Sequence, residues 1–162
     1  MRRLVVLVAL IVGLVTGAGP AAATTTDGAG RSSSAVLSPH TFTVELQPSG
    51  DPDGSGVAVL TVSLMQGTVC YDITVSGIGE PTEPAAGIGS AHIHSYARNG
   101  AIAVDLETRF ERVAGTADTY QASGCVTASR RALVDILLHP ELYYVNVHTV
   151  AFPAGAVQGD LA

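Results

Sequence analysis

The sequence predicts an all-β fold, an antiparallel sandwich with one short helix. Three observations carry that reading: hydrophobic residues recur with a period of two along most of the chain, Gly and Pro punctuate the periodic runs, and a single stretch switches to helical spacing. With no Trp and only three Phe among 162 residues, the core must be built from Val, Leu and Ile.

The first segment reads as an address. Arg2 and Arg3 precede an apolar run from Leu4 to Val15, and Ala21-Ala22-Ala23 forms a small-x-small cleavage site. The run is shorter than the roughly 20 residues that span a bilayer. Residues 1–23 are therefore expected to be a signal peptide, and no later apolar stretch predicts a membrane span. Residues 24–38, rich in Thr, Ser, Gly and Ala, lack apolar periodicity and read as a flexible leader. One domain is expected over residues 39–162, in a secreted, extracellular or periplasmic protein.

Within that domain Thr41 to Gln47 alternates, with Phe42, Val44 and Leu46 on one face, and Val57 to Leu64 is a β-branched run. Val69, Tyr71, Ile73 and Val75 share a face opposite Cys70, Asp72 and Thr74. Further strands are predicted over Ala91 to Tyr96, Ile102 to Glu107, Tyr143 to Thr149 and Ala156 to Leu161. The Phe152-Pro153-Ala154-Gly155 segment suits a reversal that pairs the last two. Ser129 caps a predicted helix starting at Arg130, and Pro140 stops it.

Cys70 and Cys125 are the only cysteines, 55 positions apart. Export favours joining them in a disulfide, against the alternatives of two free thiols or a thiolate metal site. All eight basic residues are Arg, against fourteen acids and a net charge of −6, so no basic surface for nucleic acid or anionic lipid is expected.

The chain contains no GxSxG elbow, HExxH motif or phosphate loop, so hydrolase and nucleotide-binding chemistry has no anchor. Histidine placement is the chemical signal. His92 and His94 are two apart in a predicted strand and project from one face; His148, with Tyr144 and Asn146 on its face, lies on a later strand. If those strands are neighbours, three imidazoles converge on one ion, with Cu or Zn the fitting metals. The competing reading has each ring tie a backbone carbonyl or Asn146 with no ion. His40 and His139 read as structural. Asp51-Pro52-Asp53-Gly54-Ser55-Gly56 begins like a calcium loop, but Val62 stands where the bidentate Glu belongs, and a plain turn is expected. Nothing places Glu45, Asp72 or Asp105 together, so their default is a solvated strand face.

The segments DPDGSG (51–56), VCYDITVSGI (69–78), AHIH (91–94), SGCVTASRRALV (123–134) and YYVNVHTVAFPAGAVQGDL (143–161) together resemble the CHRD domain. The resemblance covers the chain from Phe42 onward and sets Cys125 opposite Cys70. It departs after the HIH, where SYARNGA (95–101) replaces a glycine-rich loop ending in Asn-Gly-Pro. What it implies is an immunoglobulin-like sandwich with limited similarity to copper-zinc superoxide dismutase, and no settled activity. His92, His94 and His148 resemble the copper ligands of that enzyme. The resulting expectation is a secreted, non-enzymatic module with a candidate Cu or Zn site and an extracellular partner. A copper-dependent oxidoreductase or copper carrier, and a structural or adhesive surface domain, are the alternatives.

Overall fold

The computed structural model describes residues 38–82 and 89–162. The expected signal peptide and all of the leader but Ser38 lie outside the described residues. Among the described residues nine strands form: β1 (His40–Pro48), β2 (Ser55–Ser63), β3 (Thr68–Ser76), β4 (Ala91–Ser95), β5 (Ala101–Asp105), β6 (Glu111–Arg112), β7 (Tyr120–Thr127), β8 (Tyr143–Val147) and β9 (Val157–Asp160). Among the described residues one α-helix, α1 (Arg130–Leu138), forms, between β7 and β8.

The strands make one curled sheet in the order β5-β4-β8-β9-β1-β2-β3-β7-β6. Every pairing is antiparallel. This is the expected all-β, sandwich-like fold, and its two halves join through the end of β1: Gln47 and Pro48 pair with Gln158 and Val157 of β9, while His40 to Leu46 pair with β2. The seam needs a glycine. A Cβ on Gly159 would sit 2.3 Å from the Glu45 carbonyl oxygen and 2.6 Å from a Val44 methyl.

Inward side chains of both halves meet in one aliphatic core. Leu46, Leu60, Ile73, Ile93, Leu106, Leu133 and Ile136 are fully buried with Tyr143. Each such aliphatic side chain stabilises the fold by about 1.5–3 kcal/mol relative to exposure. The alternation read in β1 is literal, with Phe42, Val44 and Leu46 buried between exposed neighbours. Helix α1 begins where expected: the Ser129 side chain accepts a hydrogen bond from the Ala132 N–H at 3.2 Å, satisfying one donor that the first turn leaves orphaned. Its buried residues, Ala132, Leu133 and Ile136, share one face, and His139 and Pro140 end it. The segment at 51–56 is a turn leading into β2, with the Gly54 N–H donating to the Asp51 carbonyl at 3.2 Å.

Two strands escape the sequence pattern. β7 carries Ser123 and Gly124 at its centre, poor strand formers, and is held by continuous pairing with β3 from Thr68↔Thr127 to Val75↔Tyr120. β6 is two residues long and pairs with β7. The Cys70–Cys125 disulfide forms across β3 and β7, where the two residues stand directly opposite each other.

Candidate metal centre

The site is assembled on the outward face of the β4–β8 pair. In β4 the side chains of Ala91 and Ile93 point into the core, so His92 and His94 point the other way. Across the ladder His92 faces Asn146 and His94 faces Tyr144. His148 is one residue past β8, and its backbone is pinned on both sides: its N–H donates to the Ser90 carbonyl at 2.8 Å and its carbonyl accepts from the Thr82 N–H at 3.2 Å. The strand-neighbour condition on the three imidazoles is thereby met.

One nitrogen from each ring of His92, His94 and His148 lies within 4.8 Å of the other two. This face is covered rather than solvated, since His92 is 4% exposed and His94 8%. The His94 ring stacks on Tyr144 at 5.1 Å between centroids, and Tyr144 in turn stacks on Tyr96 at 4.5 Å. Tyr96 donates its hydroxyl to Asp160 at 2.6 Å. Burial first, and then that carboxylate, push the Tyr96 phenol up to about 12.

Hydrogen bonds assign most of the ring protons. His94 Nδ1 is 2.7 Å from the Gly100 carbonyl and His148 Nδ1 is 3.0 Å from the Pro153 carbonyl. A carbonyl only accepts, so both Nδ1 atoms carry the proton and both Nε2 atoms present lone pairs. Gly100 suits its task because its φ of +74° is costly for other residues. Pro153 lies in the reversal expected between the last two strands, so that turn also supplies a partner to the site. His92 Nδ1 is 3.0 Å from His148 Nε2. Among the described residues, His92 Nε2, His94 Nε2 and Asn146 Oδ1 are buried side-chain atoms without a hydrogen-bond partner. His94 and His148 thus do tie backbone carbonyls, as the ion-free reading had it, while His92 meets only His148, and Nε2 of His92 and of His94 is left over.

The electrostatics keep the His92 and His148 rings neutral. Burial, reinforced by repulsion from His148, lowers the pKa of His92 to about 4, although Asp105 and the backbone at Gly89 pull the other way. Burial also lowers that of His148. Neutral imidazole is the form that ligates a metal.

Asp105 is the neighbour that sequence reasoning placed on a solvated face. It stands opposite His92 across the β4–β5 pair, with Oδ1 3.9 Å from His92 Nε2. Its carboxylate accepts from the backbone N–H groups of Gly89 at 3.1 Å and Glu107 at 2.8 Å, the latter at a left-handed φ of +50°. The signal was obscured by a bulge: the β4–β5 register shifts between Ile93 and His94, which turns Ile102 outward to 44% exposure and disrupts the alternation of β5. The other sequence candidates lie apart from the trio. His40 packs edge-on to Phe42, and His139 stands beside Glu141 at the end of α1.

Fold and site together define an almost all-β, disulfide-linked domain with a histidine trio on its outer face, two of the three rings buried and His148 half-buried. The CHRD domain family model matches residues 33–161, and the chain belongs to that family. No curated protein and no solved structure matches it. No helix among the described residues is long and apolar enough to cross a membrane.

Proposed function

We propose that this protein is an exported, non-enzymatic CHRD module that binds one first-row transition metal ion, Cu(II) or Zn(II), through His92, His94 and His148. The observation that carries the reading is the inward-facing nitrogen trio. Two outer nitrogens, on His94 and His148, are held by backbone carbonyls, the arrangement that fixes tautomer and aim in metal-ligating histidines. Ligand nitrogens about 2.0–2.1 Å from a tetrahedral ion lie roughly 3.4 Å apart. The His92–His148 separation of 3.0 Å lies below that value and the 4.8 Å limit of the trio above it, so ring rotations are needed to bring the set to ligand spacing. Three neutral imidazoles favour Cu(II) or Zn(II) over Mg(II) or Ca(II), which prefer oxygen. Export rests on the 1–23 segment and the disulfide, and N-terminal sequencing of protein recovered outside the cell is expected to begin at Thr24.

The test is titration of Cu(II) and of Zn(II) into the purified protein, followed by calorimetry and thermal unfolding. One ion per chain and a raised Tm are expected, both lost in the His92→Ala/His94→Ala/His148→Ala variant. An identical isotherm in that variant removes the site. Superoxide turnover by the copper-loaded protein, above that of the same free copper, would move the assignment from a binding module to an oxidoreductase.

A further inference from the structure

The ring proton of His92 is the one in the trio that no backbone carbonyl fixes. Because His148 Nε2 bears a lone pair, the 3.0 Å contact with His92 Nδ1 is a hydrogen bond only if His92 carries its proton on Nδ1. His92 Nε2 is then a buried lone pair without a donor, 3.9 Å from the Asp105 carboxylate, which is itself only an acceptor. An unmatched buried acceptor is costly, and here it faces negative charge. With an ion at the centre, moving that proton from Nδ1 to Nε2 removes both defects, and the ion takes the place of the hydrogen bond to His148 Nε2 that the shift gives up. Nε2–H then faces the carboxylate, and Nδ1 joins the Nε2 atoms of His94 and His148 as a third lone pair turned to one centre. The shift changes no net charge, because one nitrogen loses a proton as the other gains one.

We propose that Asp105 is the positioning residue of this centre: its carboxylate holds the His92 proton on Nε2 and so presents Nδ1 as the nitrogen that meets the ion. The inference rests on the metal-binding reading above and specifies how one ligand is set. The carboxylate is well placed for this. Two backbone N–H groups, from Gly89 and Glu107, lock its orientation on the β5 side, and the cross-strand register puts it opposite His92. Asn at this position keeps an oxygen for those two amides. That oxygen is also the one that faces His92 Nε2, so Asn leaves a neutral amide oxygen there and removes the negative charge that draws the proton to Nε2.

The experiment uses the 15N-labelled protein with zinc as the probe, comparing wild type with Asp105→Asn. Long-range 1H–15N correlations report which nitrogen of His92 is protonated, and calorimetry reports affinity. In zinc-loaded wild type the proton is expected on Nε2. Asp105→Asn is expected to keep the wild-type amide spectrum while its zinc affinity falls by about 10- to 100-fold. Zinc-loaded wild type with the proton on His92 Nδ1, or Asp105→Asn binding zinc as tightly as wild type, overturns the role of Asp105 and leaves the metal site standing. Absence of zinc binding by wild type overturns both. If Asp105→Asn does not fold, the nitrogen assignment in wild type decides alone.

Discussion

Removing the disulfide should cost this protein a large part of its stability while leaving its native fold nearly unchanged. Cys70 and Cys125 face each other across β3 and β7, on the outward face of the sheet, with Cys125 exposed. Replacing both with Ala therefore empties no core volume, and the backbone pairing on either side of the bond remains. The loss falls on the unfolded chain, which regains the freedom of a 55-residue loop containing β4, β5 and β6. The chain-entropy relation assigns a loop of that length about 4 kcal/mol. Against a total of about 5–15 kcal/mol for an ordinary domain, that is a substantial fraction. For a domain of this size it corresponds to a fall in Tm of roughly 12–20 °C. The assay is urea unfolding of wild type and Cys70→Ala/Cys125→Ala, monitored by circular dichroism. The midpoint should drop and the m-value rise, because an unlinked unfolded chain exposes more surface. A loss below about 1 kcal/mol with an unchanged m-value would refute the assignment of the effect to the unfolded state. A variant with a changed native spectrum would show that the bond shapes the β3–β7 edge itself.

Two further perturbations probe the site and the seam. His92 has a folded pKa of about 4 against an ordinary 6.5, so between these values the unfolded chain takes up a proton that the native ring refuses. Stability is then unaffected by this group above pH 6.5, falls as the pH drops towards 4 by at most about 1.4 kcal/mol per pH unit, and levels off below 4. With chelator present, urea midpoints across this window should fall more steeply for wild type than for His92→Asn; parallel curves would contradict a buried neutral ring. At the seam, Gly159→Ala drives a Cβ to within 2.3 Å of the Glu45 carbonyl oxygen, while Gly79→Ala meets nothing within 4 Å. The first should cost about 1–3 kcal/mol and the second stay within about 0.5 kcal/mol. Equal midpoints for the two variants would show that β9 does not approach β1 this closely.

What the sequence by itself determined is local. An alternation of two placed Phe42, Val44 and Leu46 on one face of β1, and the same rule set His92 and His94 side by side on β4, because successive side chains of a strand point to opposite faces. Ser129 marked the start of α1 because a hydroxyl there captures an orphaned backbone donor, and the Pro153 and Gly155 turn marked the β8–β9 hairpin. These are effects of neighbours a few residues apart, so they can be read from a string of letters.

What only the tertiary structure decided is adjacency between distant segments. β7 exists because β3 offers it a ladder, despite Ser123 and Gly124; β1 divides its pairing between β2 and β9; and a bulge beside His94 displaces the alternation that would have marked Asp105 as the partner of His92. The histidine spacing named the face of one strand, but the meeting with His148 depends on β8 lying next to β4. That pairing is chosen by burial of the whole aliphatic core, an energy summed over contacts that no short window of sequence contains.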